Sequence, residues 1–142
     1  MEKIREIIVF TNGIFDLLHV GHINLLEFAK SLGDKLIVGI NSDNAARKLK
    51  GENRPINNEQ DRKKILESLK MVDEVIIFDD IKTKNLLREI KPDILVKGSE
   101  FSPEEIRRRD EVSNEIEIRT CPLINGKSTT KIIRKIHSSA SP

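Results

Sequence analysis

The chain is expected to fold as an α/β protein: a Rossmann-like three-layer sandwich around a mostly parallel five-stranded sheet. Three observations carry that expectation. Short β-branched runs alternate with longer helical stretches along the whole sequence. Each run is apolar on successive residues, as in strands covered on both faces. With 142 residues, 37% hydrophobic and 34% charged, the chain can bury one sizeable core and shows no linker that would divide it. Crossovers in such a sheet are right-handed, and ligands bind at the carboxyl ends of strands, near a switch in strand order.

The elements follow in order. Ile7–Phe10 reads as the first strand, followed by the turn-like stretch Thr11-Asn12-Gly13-Ile14-Phe15-Asp16. Ile23–Leu32 reads as a helix with Ile23, Leu26 and Ala29 on one face, stopped by Gly33. Lys35–Ile40 is the second strand. The stretch around Gly51 has no strong periodicity and reads as a mobile basic loop. Asn58–Leu69 starts on cap-like asparagines and carries Ile65, Leu66 and Leu69 on one face. Glu74–Phe78 is a strand, Thr83–Ile90 a helix ending before Lys91-Pro92, and Asp93–Val96 a strand. Ser102-Pro103-Glu104-Glu105 has the cap, first-turn proline and acidic turn that open a helix. Glu115–Arg119 is the last strand and Ser128–Ile136 the last helix. One domain is expected over residues 1–137, with a frayed, disordered Ser-rich tail at 138–142.

Composition narrows the partners. A formal net charge of +2 makes no case for nucleic acid, so any positive site must be local. The single cysteine, Cys121, forms no disulfide within the chain and agrees with a reducing compartment. There is no signal-peptide layout and no apolar run approaching the ~20 residues of a membrane span. A cytoplasmic protein without a membrane partner is the expectation.

His19-Val20-Gly21-His22 concentrates the chemistry. Two imidazoles three residues apart, with glycine between them, can face one anion, and a ring N–H can donate to an oxygen that gains negative charge. Ordinary packing at a helix start is the plain alternative. Half of a metal site is another, but only His137 and Cys121 remain as soft partners, and none is expected. Asn12-Gly13 can be a simple turn, or can bring backbone N–H groups to phosphate oxygens. No G-x-G-x-x-G or Walker sequence is present. Arg47, Lys48, Lys50 and Arg54 form either a solvated loop or a clamp that closes over a triphosphate and stabilises its leaving pyrophosphate. Ser128-Thr129-Thr130 opens a helix, as ordinary caps or as an anion site. Lys97-Gly98 and Asn41-Ser42-Asp43 follow strands and should converge with the histidines on one edge.

Gly13-Ile14-Phe15-Asp16-Leu17-Leu18-His19-Val20-Gly21-His22 resembles the G-x-F-D-x-x-H-x-G-H signature of the cytidylyltransferase-like nucleotidyltransferases. Ser128-Thr129-Thr130 resembles their second signature, I-S-T-T. Within that family the chain is most similar to the D-glycero-β-D-manno-heptose 1-phosphate adenylyltransferases. The similarity runs through Val38–Asp43, Leu49–Asn57 and Pro92–Ile106, the last resembling P-D-x-L-V-K-G-x-x-Y-x-P-E-x-I. Glycerol-3-phosphate cytidylyltransferases carry R-T-x-G-I-S-T-T. This chain has Leu123-Ile124-Asn125-Gly126-Lys127 before Ser128, without that arginine, which disfavours cytidine. Ile14 replaces a cysteine common in the heptose enzymes, where a backbone N–H would serve equally. Residues 107–114 match less clearly.

The resemblance implies direct in-line transfer of AMP from ATP to a phosphorylated sugar or polyol, with pyrophosphate leaving. His19 and His22 would donate to α- and β-phosphate oxygens, and Lys50, with Lys48, would stabilise the triphosphate. Ser128, Thr129 and Thr130 would hold the β- and γ-phosphates. Thr11, Asn12, Gly13, Ile14, Phe15, Gly21, Lys97, Gly98, Asn125 and Gly126 would complete the nucleotide surface, braced by Arg62, for which an exposed salt bridge is the plain alternative. Asp16 and Asp43 would orient the acceptor. Mg²⁺ would arrive with ATP, and a homodimer is implied. The heptose enzymes are often fused to a sugar kinase; no kinase is read in this sequence, so the 1-phosphate is expected from a separate protein. The alternatives are glycerol 3-phosphate with CTP, a heptose 1-phosphate with GTP, or a nucleotide-binding module without catalysis.

Overall fold

The structure, a computed structural model, describes residues 5–122 and 128–140. Strands and helices alternate: β1 (Ile8–Gly13), α1 (Val20–Ser31), β2 (Lys35–Asn41), α2 (Asp43–Lys50), α3 (Glu59–Glu67), β3 (Glu74–Phe78), α4 (Lys84–Ile90), β4 (Ile94–Gly98), α5 (Pro103–Arg109), β5 (Glu117–Cys121) and α6 (Thr129–Ala140). The sheet order is β3-β2-β1-β4-β5, and every pairing is parallel, so the sheet is wholly rather than mostly so. After β3 the chain crosses back to the other side of β1. The order therefore reverses between β1 and β4, where a crevice opens at the carboxyl edge.

Alternation of side chains across the pleat explains the continuous apolar runs. Val9, Val38 and Val96 point into one cluster with Leu26 and Ala29 of α1 and Leu66 of α3. Their neighbours Phe10, Ile37 and Leu95 point into a second, with Leu86 and Leu87 of α4 and Ile106 of α5. Both faces are covered, which gives three layers. Gly33 ends α1 by close approach: a Cβ there would lie 2.8 Å from the Ile7 carbonyl oxygen. Among the described residues no helix is long and apolar enough to cross a membrane.

Several boundaries depart from expectation. The stretch after β2, read as a loop, contains α2. Ser42 caps it by accepting the Ala45 N–H at 3.2 Å, and only the small Ala45 and Ala46 are buried, which leaves little apolar periodicity to detect. Helix α1 begins at Val20 rather than Ile23, because His19 is its cap. Helix α6 continues through Ser138 and Ser139 to Ala140, so the start of the expected frayed tail is helical. Strand β5 runs two residues later than read, ending at Cys121. Register then places residues 11–13, 39–41 and 96–98 together at the carboxyl edge.

Candidate active site

The histidine pair is built into the start of α1. His19 has extended backbone (φ −142°, ψ 175°), and its Nδ1 accepts the Gly21 N–H at 3.1 Å. His22 reaches back, and its Nδ1 accepts the His19 N–H at 3.2 Å. This is a reciprocal capping box made by imidazoles instead of hydroxyl and carboxylate. A nitrogen that accepts a hydrogen bond carries no proton, so the network assigns the ring proton of each histidine to Nε2. The rings lie 3.9 Å apart between centroids, and Phe15 packs on His22 at 5.2 Å. Burial, followed by the charge of His19, lowers the His22 pKa to about 4. At neutral pH His22 is an uncharged donor, positioned by the backbone it caps.

A cavity of about 580 Å³ opens at this edge. Its floor is the end of β1 (Thr11, Asn12, Gly13) and the following loop (Ile14, Phe15, Asp16), with His19, Gly21 and His22 at one side. Lys97 and Gly98 come from the end of β4, Lys50 from the end of α2, and Ser128, Thr129 and Thr130 from the opening of α6. Lys97 Nζ donates to Asn12 Oδ1 at 3.0 Å. Burial foremost lowers the Lys97 pKa, and Arg109 adds to this, against the pull of Asp110 and Glu100. Thr129 Oγ1 donates to the Leu17 carbonyl at 2.9 Å, fastening α6 to the histidine loop. Ser128 Oγ accepts the Lys131 N–H at 3.0 Å, an ordinary cap.

Other expected contacts are placed differently. Thr11 lines the cavity, but its hydroxyl donates to the Val96 carbonyl at 2.8 Å and is fully buried, so it joins β1 to β4. Lys48 is exposed and outside the cavity lining, because α2 turns it to solvent. Arg62 is neither an exposed ion pair nor a lining residue. It is fully buried, donating to the carbonyls of Ile14 (2.9 Å), Asn41 (2.8 Å) and Asn57 (2.9 Å) and to Asp43 Oδ1 (2.9 Å). It braces the cavity from beneath. Asp43 is that arginine's counterion and does not line the cavity, which removes the geometric basis for an acceptor contact. Asp16 does line it, but both carboxylate oxygens accept backbone N–H groups, from Ile56 at 2.7 Å and Asn57 at 2.9 Å. Asn125 and Gly126 lie outside the described residues.

Asn41, expected on this edge, and Arg54, from the basic stretch read as a loop or a clamp, also line the cavity. Leu49, Glu100, Phe101, Arg109 and Cys121 line it as well, where sequence reasoning did not place them. The Arg109 guanidinium carbon stands 4.2 Å over the Phe101 ring. Burial raises the Cys121 thiol pKa, and Asn24 donates to its sulfur at 3.7 Å. Among the described residues no group of three or more His, Cys, Asp or Glu side chains could hold a metal ion.

Residues 10–135 match the cytidylyltransferase-like family. The chain belongs to that family. It is a nucleotidyltransferase, and His19, His22, Lys50 and Lys97 line one cavity at its sheet edge. The chain is 47% identical over 135 residues to the bifunctional protein HldE of Campylobacter concisus, a match covering 95% of this chain and 28% of the relative. It is 48% identical over 132 residues to the bifunctional protein HldE of Haemophilus influenzae, covering 92% and 28%. The chain thus spans less than a third of the length of these curated relatives. Among solved structures, the lipopolysaccharide core biosynthesis protein of Thermoplasma volcanium superposes with a TM-score of 0.70 at 32% identity, covering 84% of this chain and 98% of that one. A pantoate-beta-alanine ligase from Francisella tularensis shares the fold alone, with a TM-score of 0.56 at 22% identity over 82% of this chain and 59% of that one.

Proposed function

We propose that this nucleotidyltransferase transfers AMP from ATP to D-glycero-β-D-manno-heptose 1-phosphate, forming ADP-heptose and pyrophosphate. The observation that carries the chemistry is the imidazole pair at the carboxyl edge, with each Nδ1 accepting a backbone N–H and the ring proton of each histidine therefore on Nε2. The near 50% identity to the HldE proteins over almost the whole chain supports the heptose acceptor and the adenine nucleotide.

The acceptor phosphate oxygen attacks the α-phosphorus of ATP in line, without a covalent enzyme intermediate. Little bonding falls to the protein, so its work is positioning and charge stabilisation. The Nε2–H groups of His19 and His22 donate to phosphate oxygens as charge grows there, as an oxyanion hole does. Lys50 and the opening turn of α6 hold the outer phosphates, and Lys97, oriented by Asn12, faces the same anion from β4. Of the cavity carboxylates, Asp16 is engaged by two backbone N–H groups. Mg²⁺ would come on the phosphate oxygens of ATP, since it keeps water and phosphate ligands rather than a full protein cage.

Pyrophosphate release measured over a matrix of ATP, CTP and GTP against heptose 1-phosphate anomers and glycerol 3-phosphate tests the reading. ATP with the β-anomer should be the fastest pair. Faster release with CTP and glycerol 3-phosphate would replace it with the cytidylyl reading, and none with any pair would leave a binding module.

A further inference from the structure

Two arginines sit close together on the segment that joins β2 to β3, and they are used in opposite ways. Arg62 is fully buried and held by three carbonyls and a carboxylate. Arg54 is half-buried, lines the cavity, and donates from Nη2 to the Thr130 hydroxyl at 3.2 Å. Among the described residues no carboxylate lies within ion-pair distance of Arg54. A guanidinium held in a cavity by a neutral hydroxyl keeps its charge for an incoming anion, and its planar fork suits two phosphate oxygens.

The loop that carries Arg54 is fixed at its far end. Gly51 turns the chain out of α2 with φ 107°, and the Arg54 N–H closes on the Gly51 carbonyl at 3.1 Å. Two residues beyond Arg54, Asp16 receives the N–H groups of Ile56 and Asn57. Asp16 lies in the same β1–α1 loop as His19, and Thr129 fastens that loop to α6. One carboxylate thus sets the distance between the histidines, the Arg54 loop and the helix end that Arg54 touches.

We infer that Arg54 is a catalytic residue that holds the departing pyrophosphate, and that Asp16 is the positioning residue that delivers it across the cavity. In the transfer, an acceptor oxygen bonds to the α-phosphorus. The bond from that phosphorus to the bridging oxygen breaks, and its electron pair stays on the pyrophosphate. Arg54 and the opening turn of α6, which touch through Thr130, face the charge that results. The inference rests on nucleotidyl transfer and not on which sugar accepts the nucleotide.

Binding of inorganic pyrophosphate with Mg²⁺, measured by calorimetry on the full chain, tests it. Arg54→Ala should weaken binding about tenfold to hundredfold, the effect of losing a charged hydrogen-bonding group. Arg54→Lys should recover only part of the loss, because an ammonium lacks the fork. Asp16→Asn should weaken pyrophosphate binding without raising the acceptor KM, and should add nothing to Arg54→Ala, because both act through one contact. If Asp16→Asn does not fold, Asp16→Glu, which keeps the charge but moves it, reads the same pattern. Pyrophosphate affinity within about twofold of wild type in Arg54→Ala would overturn the assignment, and so would an Asp16 variant that raises the acceptor KM alone. Inactivity with heptose 1-phosphate alongside Arg54-dependent pyrophosphate binding would remove the proposed acceptor and leave this inference standing.

Discussion

The ring of His22 caps the backbone N–H of His19 while the ring of His19 caps the N–H of Gly21, so the donors proposed for catalysis are oriented by the helix they begin. The capping role uses each Nδ1 and the proposed donor role each Nε2. Asparagine separates them, because its side-chain oxygen can take the place of Nδ1 while nothing replaces Nε2–H. His19→Ala and His22→Ala should each lower turnover by ~100-fold or more, as loss of one oxyanion donor does. His19→Asn and His22→Asn should lose turnover to a similar degree yet melt close to wild type. Steady-state rates and melting temperatures check both, and near-wild-type rates in the variants would refute the donor role.

Stability should depend on acid through His22. In the unfolded chain this histidine takes up a proton near pH 6.5, and in the fold only near pH 4. Between those values the unfolded state binds more protons, so stability falls as the pH is lowered through the window. Above it both states are neutral and the group contributes no slope. Urea unfolding of wild type and His22→Asn at pH 7, 5.5 and 4.5 measures the effect: the wild type should lose more stability on acidification than the variant. Parallel losses would show that His22 titrates normally.

Arg62→Leu should be among the most damaging single changes in the chain. It leaves three carbonyls and the Asp43 carboxylate without the donor that satisfies them beneath the cavity. Breaking a buried charged network of this kind costs about 3–5 kcal/mol. Thermal unfolding should show the loss directly. Asp43→Asn, whose partner remains hydrogen-bonded to carbonyls, should cost less. A surface-like change of a few tenths of a kcal/mol for Arg62→Leu would contradict the burial described.

Much of the architecture was legible because its signals are local. Uninterrupted apolar runs marked the strands, since a strand covered on both faces has no polar side to show. The histidine pair stood out for a similar reason, as two rings three residues apart after a strand, though their capping of α1 was not legible because the helix was read to start at Ile23. Helix α2 was not, because alanine buries too little to impose a period. Phe101 and Arg109 carried no periodic or cap-like signal that would place them around one cavity.

From the order of residues alone came the β-α alternation, the edge of the sheet where ligands of such folds bind, and the pair of rings that lines the cavity there. Those properties depend on spacing within one or two elements. The fates of Asp16, Asp43, Arg54 and Arg62 were decided only when distant segments met: the partners of Asp16 lie 40 and 41 residues along the chain, and Arg54 meets Thr130 across 76. A charged side chain looks the same in sequence whether it meets substrate or a buried carbonyl. What separates the two is desolvation and the partner supplied, and both arise from packing between segments rather than within them.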